Sequence, residues 1–130
     1  MCMRNLSITR RHFSVLLAGA AAPAVGQAPV TPKRLRRSES YFGLHFDLHP
    51  NEKDTVLGRD VTEEMVERLL RAAKPDFVQY DSKGHPGWLG WPSKVGPSAP
   101  GIVKDSLAIW RKVTARRGVA LYIHFSGVWD

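Results

Sequence analysis

The stretch YFGLHFDLHP, residues 41–50, sets His45, Asp47 and His49 at alternate positions, with Phe42, Leu44, Phe46 and Leu48 as the intervening apolar set. In an extended chain this period of two puts the three ionisable side chains on one side and the four apolar ones on the other. Two imidazoles flanking a carboxylate suit three kinds of chemistry: hydrogen bonding to sugar hydroxyls, proton exchange near neutrality, and ligation of a metal ion. On a solvated edge strand the same residues do none of these. The choice depends on what the rest of the chain brings beside them.

More groups of this kind follow. Asp81 closes the short run DFVQYD, residues 76–81, and His85, Trp88 and Trp91 lie in the stretch just after it. His124 and Ser126 end a third apolar run, and Trp129 comes shortly after. An indole can stack on the C–H face of a pyranose ring and donate its N–H to a hydroxyl, so Trp88, Trp91 and Trp129 are candidate sugar platforms; packing of their own loops is the alternative. Trp110 falls on an apolar helical stripe and reads as core. Asp47 and Asp81 could form a carboxylate pair on adjacent strands, or serve as acceptors for substrate hydroxyls or as structural hydrogen-bond partners.

A metal is poorly served by the first strand alone. His45 and His49 are about 13 Å apart at ~3.3 Å per residue, too far to share an ion with bonds of ~2.0–2.1 Å. Asp47 and His49 remain as an Asp-x-His pair. No metal or cofactor is therefore expected, and a metal-dependent hydrolase is kept as a rival reading.

The elements that must position these groups are legible in the sequence. Tyr41 to His49 reads as a strand stopped by Pro50. Asp60 with Glu63 starts a helix in the manner of a capping box, with Met65, Val66, Leu69, Leu70 and Ala73 at helical spacing and Pro75 at its end. Residues 76–81 form a second strand. Residues 82–100 hold four Gly and four Pro, which forbids regular structure through most of them. A second helix runs from Ile102 to Arg117, with Val103, Leu107, Trp110 and Val113 on one face and Gly118 just past its end. Val119 to Phe125 is the third strand.

This alternation is the pattern of successive βαβ units on a parallel sheet, an α/β fold. A doubly wound sheet is covered on both faces and should read as continuously apolar. Here one face is repeatedly polar, most of all near the strand C-termini, as in a (β/α)8 TIM barrel, whose site lies at that end. The expectation is the first three βα units of such a barrel, spanning residues 41–130.

The net charge of +7 suggests nucleic acid, but its distribution removes the suggestion. Seven of the nineteen basic residues lie in residues 1–37, which contain no acid, leaving twelve basic against twelve acidic residues from 38 onward. The globular part is neutral and has no basic stripe for phosphates. Residues 1–28 have the build of a signal peptide, with Arg10 and Arg11 before an apolar run from Phe13 to Val25 that is too short to span a bilayer stably. Residues 9–13 carry a twin-arginine pattern, which implies the twin-arginine export machinery as a partner and a periplasmic or secreted destination. Cleavage fits after Ala24 or Ala28; an N-terminal anchor helix is the alternative. Cleavage would remove Cys2, the one cysteine, leaving no disulfide. Residues 29–40, PVTPKRLRRSES, read as a basic linker.

Two strings give a resemblance. Tyr41-Phe42-Gly43-Leu44-His45-Phe46 looks like the Phe-Gly-x-x-x-His opening of α-L-fucosidase-type glycoside hydrolases, and Arg116-Arg117-Gly118-Val119-Ala120-Leu121-Tyr122 resembles the entry to their third strand. The chain departs from that family where His45 is followed by Phe46-Asp47 in place of Trp-Gly. It departs again at Asp81-Ser82-Lys83-Gly84-His85, where the family has paired histidines. The resemblance implies a TIM-barrel hydrolase of glycosidic bonds with a carbohydrate substrate. The candidate substrate contacts are His45, Asp47, His49, Asp81, His85, Trp88, Trp91, His124 and Trp129, with packing inside the lumen the alternative for His45, His49 and His124. In that family the nucleophile is an Asp on the fourth strand and the acid follows later, so no catalytic residue is assigned here. A closed barrel needs over 200 residues, and the expectation is an N-terminal portion, inactive alone. A non-catalytic carbohydrate-binding remnant is the second alternative.

Overall fold

The computed structural model describes residues 32–127. The signal-peptide and twin-arginine readings, Cys2, the first residues of the linker and Trp129 lie outside the described residues. The elements are a short 3-10 turn at Arg37–Glu39, then β1 (Gly43–Phe46), α1 (Glu63–Ala73), β2 (Phe77–Lys83), α2 (Ser106–Arg117) and β3 (Ala120–Phe125). The three strands form one parallel sheet in the order β1-β2-β3. The strand–helix alternation and the parallel pairing therefore match the sequence reading.

Both helices lie on the same face of that sheet. Val66 and Leu70 of α1 and Trp110 and Val113 of α2 form one buried cluster with Val78 and Tyr80 of β2; Leu44, Phe46 and Leu121 pack against it. Phe46 and Trp110 have ring centroids 4.8 Å apart. The helices are also laced together at the surface. Lys112 meets Glu63 at 2.5 Å, Arg116 meets Glu67 at 2.6 Å, and Arg117 pairs with Glu67 as well.

Several boundaries differ from the sequence expectation, each for a local physical reason. Strand β1 is four residues long because the Asp76 side chain just before β2 and the Asp81 side chain within it take over the backbone at its two ends. The Asp76 carboxylate accepts from the N–H groups of Tyr41 and Phe42 at 2.8 and 2.9 Å, and Asp81 accepts from that of Leu48 at 3.2 Å. Helix α1 is capped by Thr62, whose hydroxyl accepts from the N–H of Met65, in place of the expected Asp60. Helix α2 starts at Ser106 because Asp105 caps it through the N–H of Ala108, which leaves Val103 outside the helix and exposed. It ends at Gly118 in the left-handed conformation, as expected.

Strand β2 runs two residues further than expected. Lys83, read as loop, is 5% exposed; its ammonium donates to the Ser126 carbonyl at 3.1 Å and lies over the Phe125 ring. On β3, Ile123 and Phe125 share the strand parity of Leu121 but are 49% and 61% exposed. Ile123 borders an open cleft with Leu107, Arg111 and Thr114 of α2, and Phe125 meets Lys83 and the loop around Leu89 and Trp91.

Candidate functional site

The site is built by sheet register. Parallel pairing sets His45 opposite Gln79 and Phe46 opposite Tyr80, and on the other side of β2 it sets Asp81 opposite His124. Residues paired directly across a sheet point to the same face. Asp47, the next residue after β1, continues that register to Asp81. Asp47, Asp81 and His124 thus form one row across the carboxyl ends of three strands, on the face away from the helices. His45 lies one step below on the same side.

Asp81 anchors the row. It is 1% exposed, and its Oδ1 lies 2.8 Å from Nδ1 of His124 while its Oδ2 receives the Leu48 N–H. The contact fixes the orientation of the His124 ring and leaves its Nε2 atom outside the pairing. His124 is part-exposed at the strand end.

A second chain of contacts runs beside it. Asp47 Oδ1 is 3.0 Å from His49 Nε2, and the His49 ring stacks on that of His85 with centroids 4.7 Å apart. The backbone N–H of His85 points at His49 Nδ1 over a long 3.4 Å, and Nδ1 of His85 is 2.7 Å from the Ser126 hydroxyl. Gly84 makes this possible: a Cβ there would lie 2.7 Å from Cα of His49 and 3.0 Å from the Leu48 carbonyl. Only a residue without a side chain lets the chain leaving β2 press against the end of β1.

The His45, Asp47 and Asp81 side chains each place one ligand-capable atom within 4.8 Å of the other two. Desolvation favours the neutral acid at Asp47, but the charge of His49 and hydrogen bonding with Asp81 and His49 outweigh it and hold the Asp47 carboxyl below its ordinary value. Asp47 is therefore an anion at neutral pH. As a hydrolytic couple, Asp47 and Asp81 fit poorly, since glycosidases set their two carboxyl groups roughly 5–9.5 Å apart and need one to reach the leaving group. Asp81 is buried and already hydrogen-bonded at both oxygens.

Of the residues singled out in the sequence, the structure brings together His45, Asp47, His49, Asp81, His85 and His124. Trp88 and Trp91 do not join them: among the described residues neither shares a ring contact or hydrogen bond with the cluster. Trp91 lines an apolar pocket of about 180 Å³ with Leu89, Val95 and Phe125, and its buried indole N–H has no hydrogen-bond partner among the described residues. Trp88 borders an open groove with Pro86 and Pro97. A separate cleft of about 230 Å³ opens between Leu48, His49, Leu57, Tyr80, Asp81 and Ser106. The sequence reading gathered Ser126 with His124 at the strand ends without making it a substrate contact, and it did not foresee that Lys83 is buried. For Ser126 the signal was its strand parity with His124; for Lys83 there was none.

No family model matches the chain. Among solved structures it is similar to α-L-fucosidase isoenzyme 2 from Paenibacillus thiaminolyticus, with a TM-score of 0.65 and 24% identity over 70% of this chain and 14% of the fucosidase. Two short sequence matches point to fungal proteins. One is a probable 1,4-beta-D-glucan cellobiohydrolase C from Aspergillus terreus, 40% identical over 55 residues. The other is the 1,4-beta-D-glucan cellobiohydrolase CEL6A from Podospora anserina, 38% identical over 59 residues. The matched stretches cover 40% and 43% of this chain and 11% of each cellobiohydrolase. What the structural likeness shows is the fold, a parallel α/β unit shared with one part of a glycoside hydrolase.

Proposed function

We propose that the chain forms three βα units of a glycoside hydrolase (β/α)8 barrel of the α-L-fucosidase type and supplies part of its sugar-binding surface. One observation carries this reading: Asp47, Asp81 and His124 share a row at the carboxyl ends of three parallel strands, flanked by His45, His49 and His85. Barrel enzymes build their sites at that end of the sheet. The fold likeness to a fucosidase, the two short cellobiohydrolase matches and the placement of both helices on one face support it.

In this reading the exposed groups contact the substrate. Asp47 accepts from a hydroxyl, and His45, His49 and the Nε2 atom of His124 exchange hydrogen bonds with others. Asp81 is a positioning residue that holds the His124 ring. The resembling family keeps its nucleophile on a fourth strand, so the role of this three-stranded sheet is binding. Export through residues 9–13 to the periplasm or medium belongs to the same proposal; replacing Arg10 and Arg11 by Lys should leave the protein in the cytoplasmic fraction.

The test is sugar titration of the chain in a chelating buffer, with fucosylated oligosaccharides and with cello-oligosaccharides, followed by chemical-shift changes. Saturable shifts at His45, Asp47 and His124, weakened by about tenfold in Asp47→Ala, are expected. A folded chain that binds neither class, or binds with no dependence on Asp47 or His124, overturns the reading.

A further inference from the structure

We propose that His45, Asp47 and Asp81 form a site for one divalent first-row metal ion of the zinc class. The strand spacing that rules out a His45–His49 chelate says nothing about pairs across strands, and the sheet register brings in Asp81. One atom from each of the three side chains lies within 4.8 Å of the other two. Two of them are carboxyl groups on neighbouring strands that share a hydrogen bond, and a cation could take the place of the proton between them.

The donor set points to the kind of ion. One imidazole with two carboxylates suits zinc and its first-row neighbours, which accept mixed nitrogen and oxygen ligands and keep open positions for water or substrate. Calcium takes six to eight oxygen ligands, which three side chains including a nitrogen donor do not provide.

Donor capacity is also present. His45 makes no hydrogen bond among the described residues; its ring meets the edge of the His124 ring, with centroids 6.1 Å apart, and it interacts electrostatically with Asp47. Asp47 engages one oxygen with His49 and also hydrogen-bonds Asp81, a contact that a bound cation would replace. A carboxylate has about four lone-pair sites, and the hydrogen bonds of Asp81 to Leu48 and His124 leave others open. Each carboxylate thus carries an imidazole on its outer side, His49 on Asp47 and His124 on Asp81, and such outer partners fix ligand orientation in metal sites. Asp81 is held rigidly, whereas His45 and Asp47 are exposed. Bonds of ~2.0–2.2 Å need the exposed pair to turn inward by about an ångström.

The proposal rests on these three side chains and not on the sugar reading, and its test uses no sugar. The full chain is titrated with zinc chloride by calorimetry. About one ion per chain is expected, and both His45→Ala and Asp47→Asn should weaken binding by about tenfold or more. His85→Ala, outside the triad, should change it by less than about twofold. Far-UV circular dichroism checks that the variants stay folded. Absence of saturable zinc uptake by the folded chain overturns the proposal. So does uptake that survives His45→Ala and Asp47→Asn but falls in His85→Ala, which would place the metal on the stacked His49–His85 pair. Sugar titration in chelator remains unaffected by either outcome.

Discussion

Asp81 and His124, 43 residues apart in sequence, meet side chain to side chain at 2.8 Å across β2 and β3. The same carboxylate also receives the backbone N–H of Leu48, so one buried residue joins all three strand ends. Asp81→Ala should destabilise the chain by about 1–3 kcal/mol, because it strands a backbone donor and an imidazole N–H. Combining it with His124→Ala in a double-mutant cycle should give a coupling of about 1–3 kcal/mol. Urea denaturation measures both, and additive single effects would show that the pair does not cooperate.

The ion pairs between α1 and α2 make stability depend on pH. Hydrogen bonds from Lys112 and Arg116, with the charges of both, hold the Glu63 carboxyl below its ordinary value; Arg117 and Arg116 do the same for Glu67. Asp76 is lowered by the backbone N–H groups of Phe42 and Tyr41. A carboxyl whose folded pKa is depressed contributes stability above its unfolded pKa, about 4, and loses it as pH falls through the folded value. The melting temperature should therefore be flat from neutral pH down to about 5 and drop below about 4. The drop should be smaller in Glu67→Gln, and an equal drop in that variant would remove Glu67 from the account.

Trp110 is 2% exposed and packs its ring against Phe46 and Tyr80, at 4.8 and 5.9 Å between centroids. Trp110→Ala should cost about 3–5 kcal/mol, since the space it leaves lies under the whole sheet and cannot collapse. A denaturation midpoint close to that of the parent would mean that the helix does not depend on this ring.

The loop after β1 is tied to the segment before α2 at Gly101. A Cβ there would fall 1.7 Å from the Asp54 carbonyl oxygen, and Leu57 bonds backbone to backbone with Gly101 and Val103. Gly101→Ala must push the two segments apart, with an expected loss of about 1–3 kcal/mol. Amide chemical shifts should move around residues 54–58 and 101–103 and stay constant in β3. An unchanged melting temperature would contradict the close approach.

Local sequence determined the order of elements. Period-two alternation in residues 41–49 and 119–125, the helical spacing of Val66, Leu70, Trp110 and Val113, and Gly118 after the second helix all act within a few residues. They reach the same answer in the structure as in the sequence. The polar parity of His45, Asp47 and His124 was legible for the same reason, because side-chain direction in a strand is a local property.

Tertiary structure alone decided what those residues meet. Register between strands depends on pairings 34 to 43 residues apart, and only that register puts Asp81 beside both His124 and Leu48. The length of β1 was hidden too, since Asp76, just before β2, and Asp81, within it, bind its flanking backbone. Lys83 looked like loop until the extra length of β2 carried it into the interior. Periodicity reports which side of its own strand a residue takes; which neighbour shares that side is set by burial and hydrogen bonding summed over the folded chain.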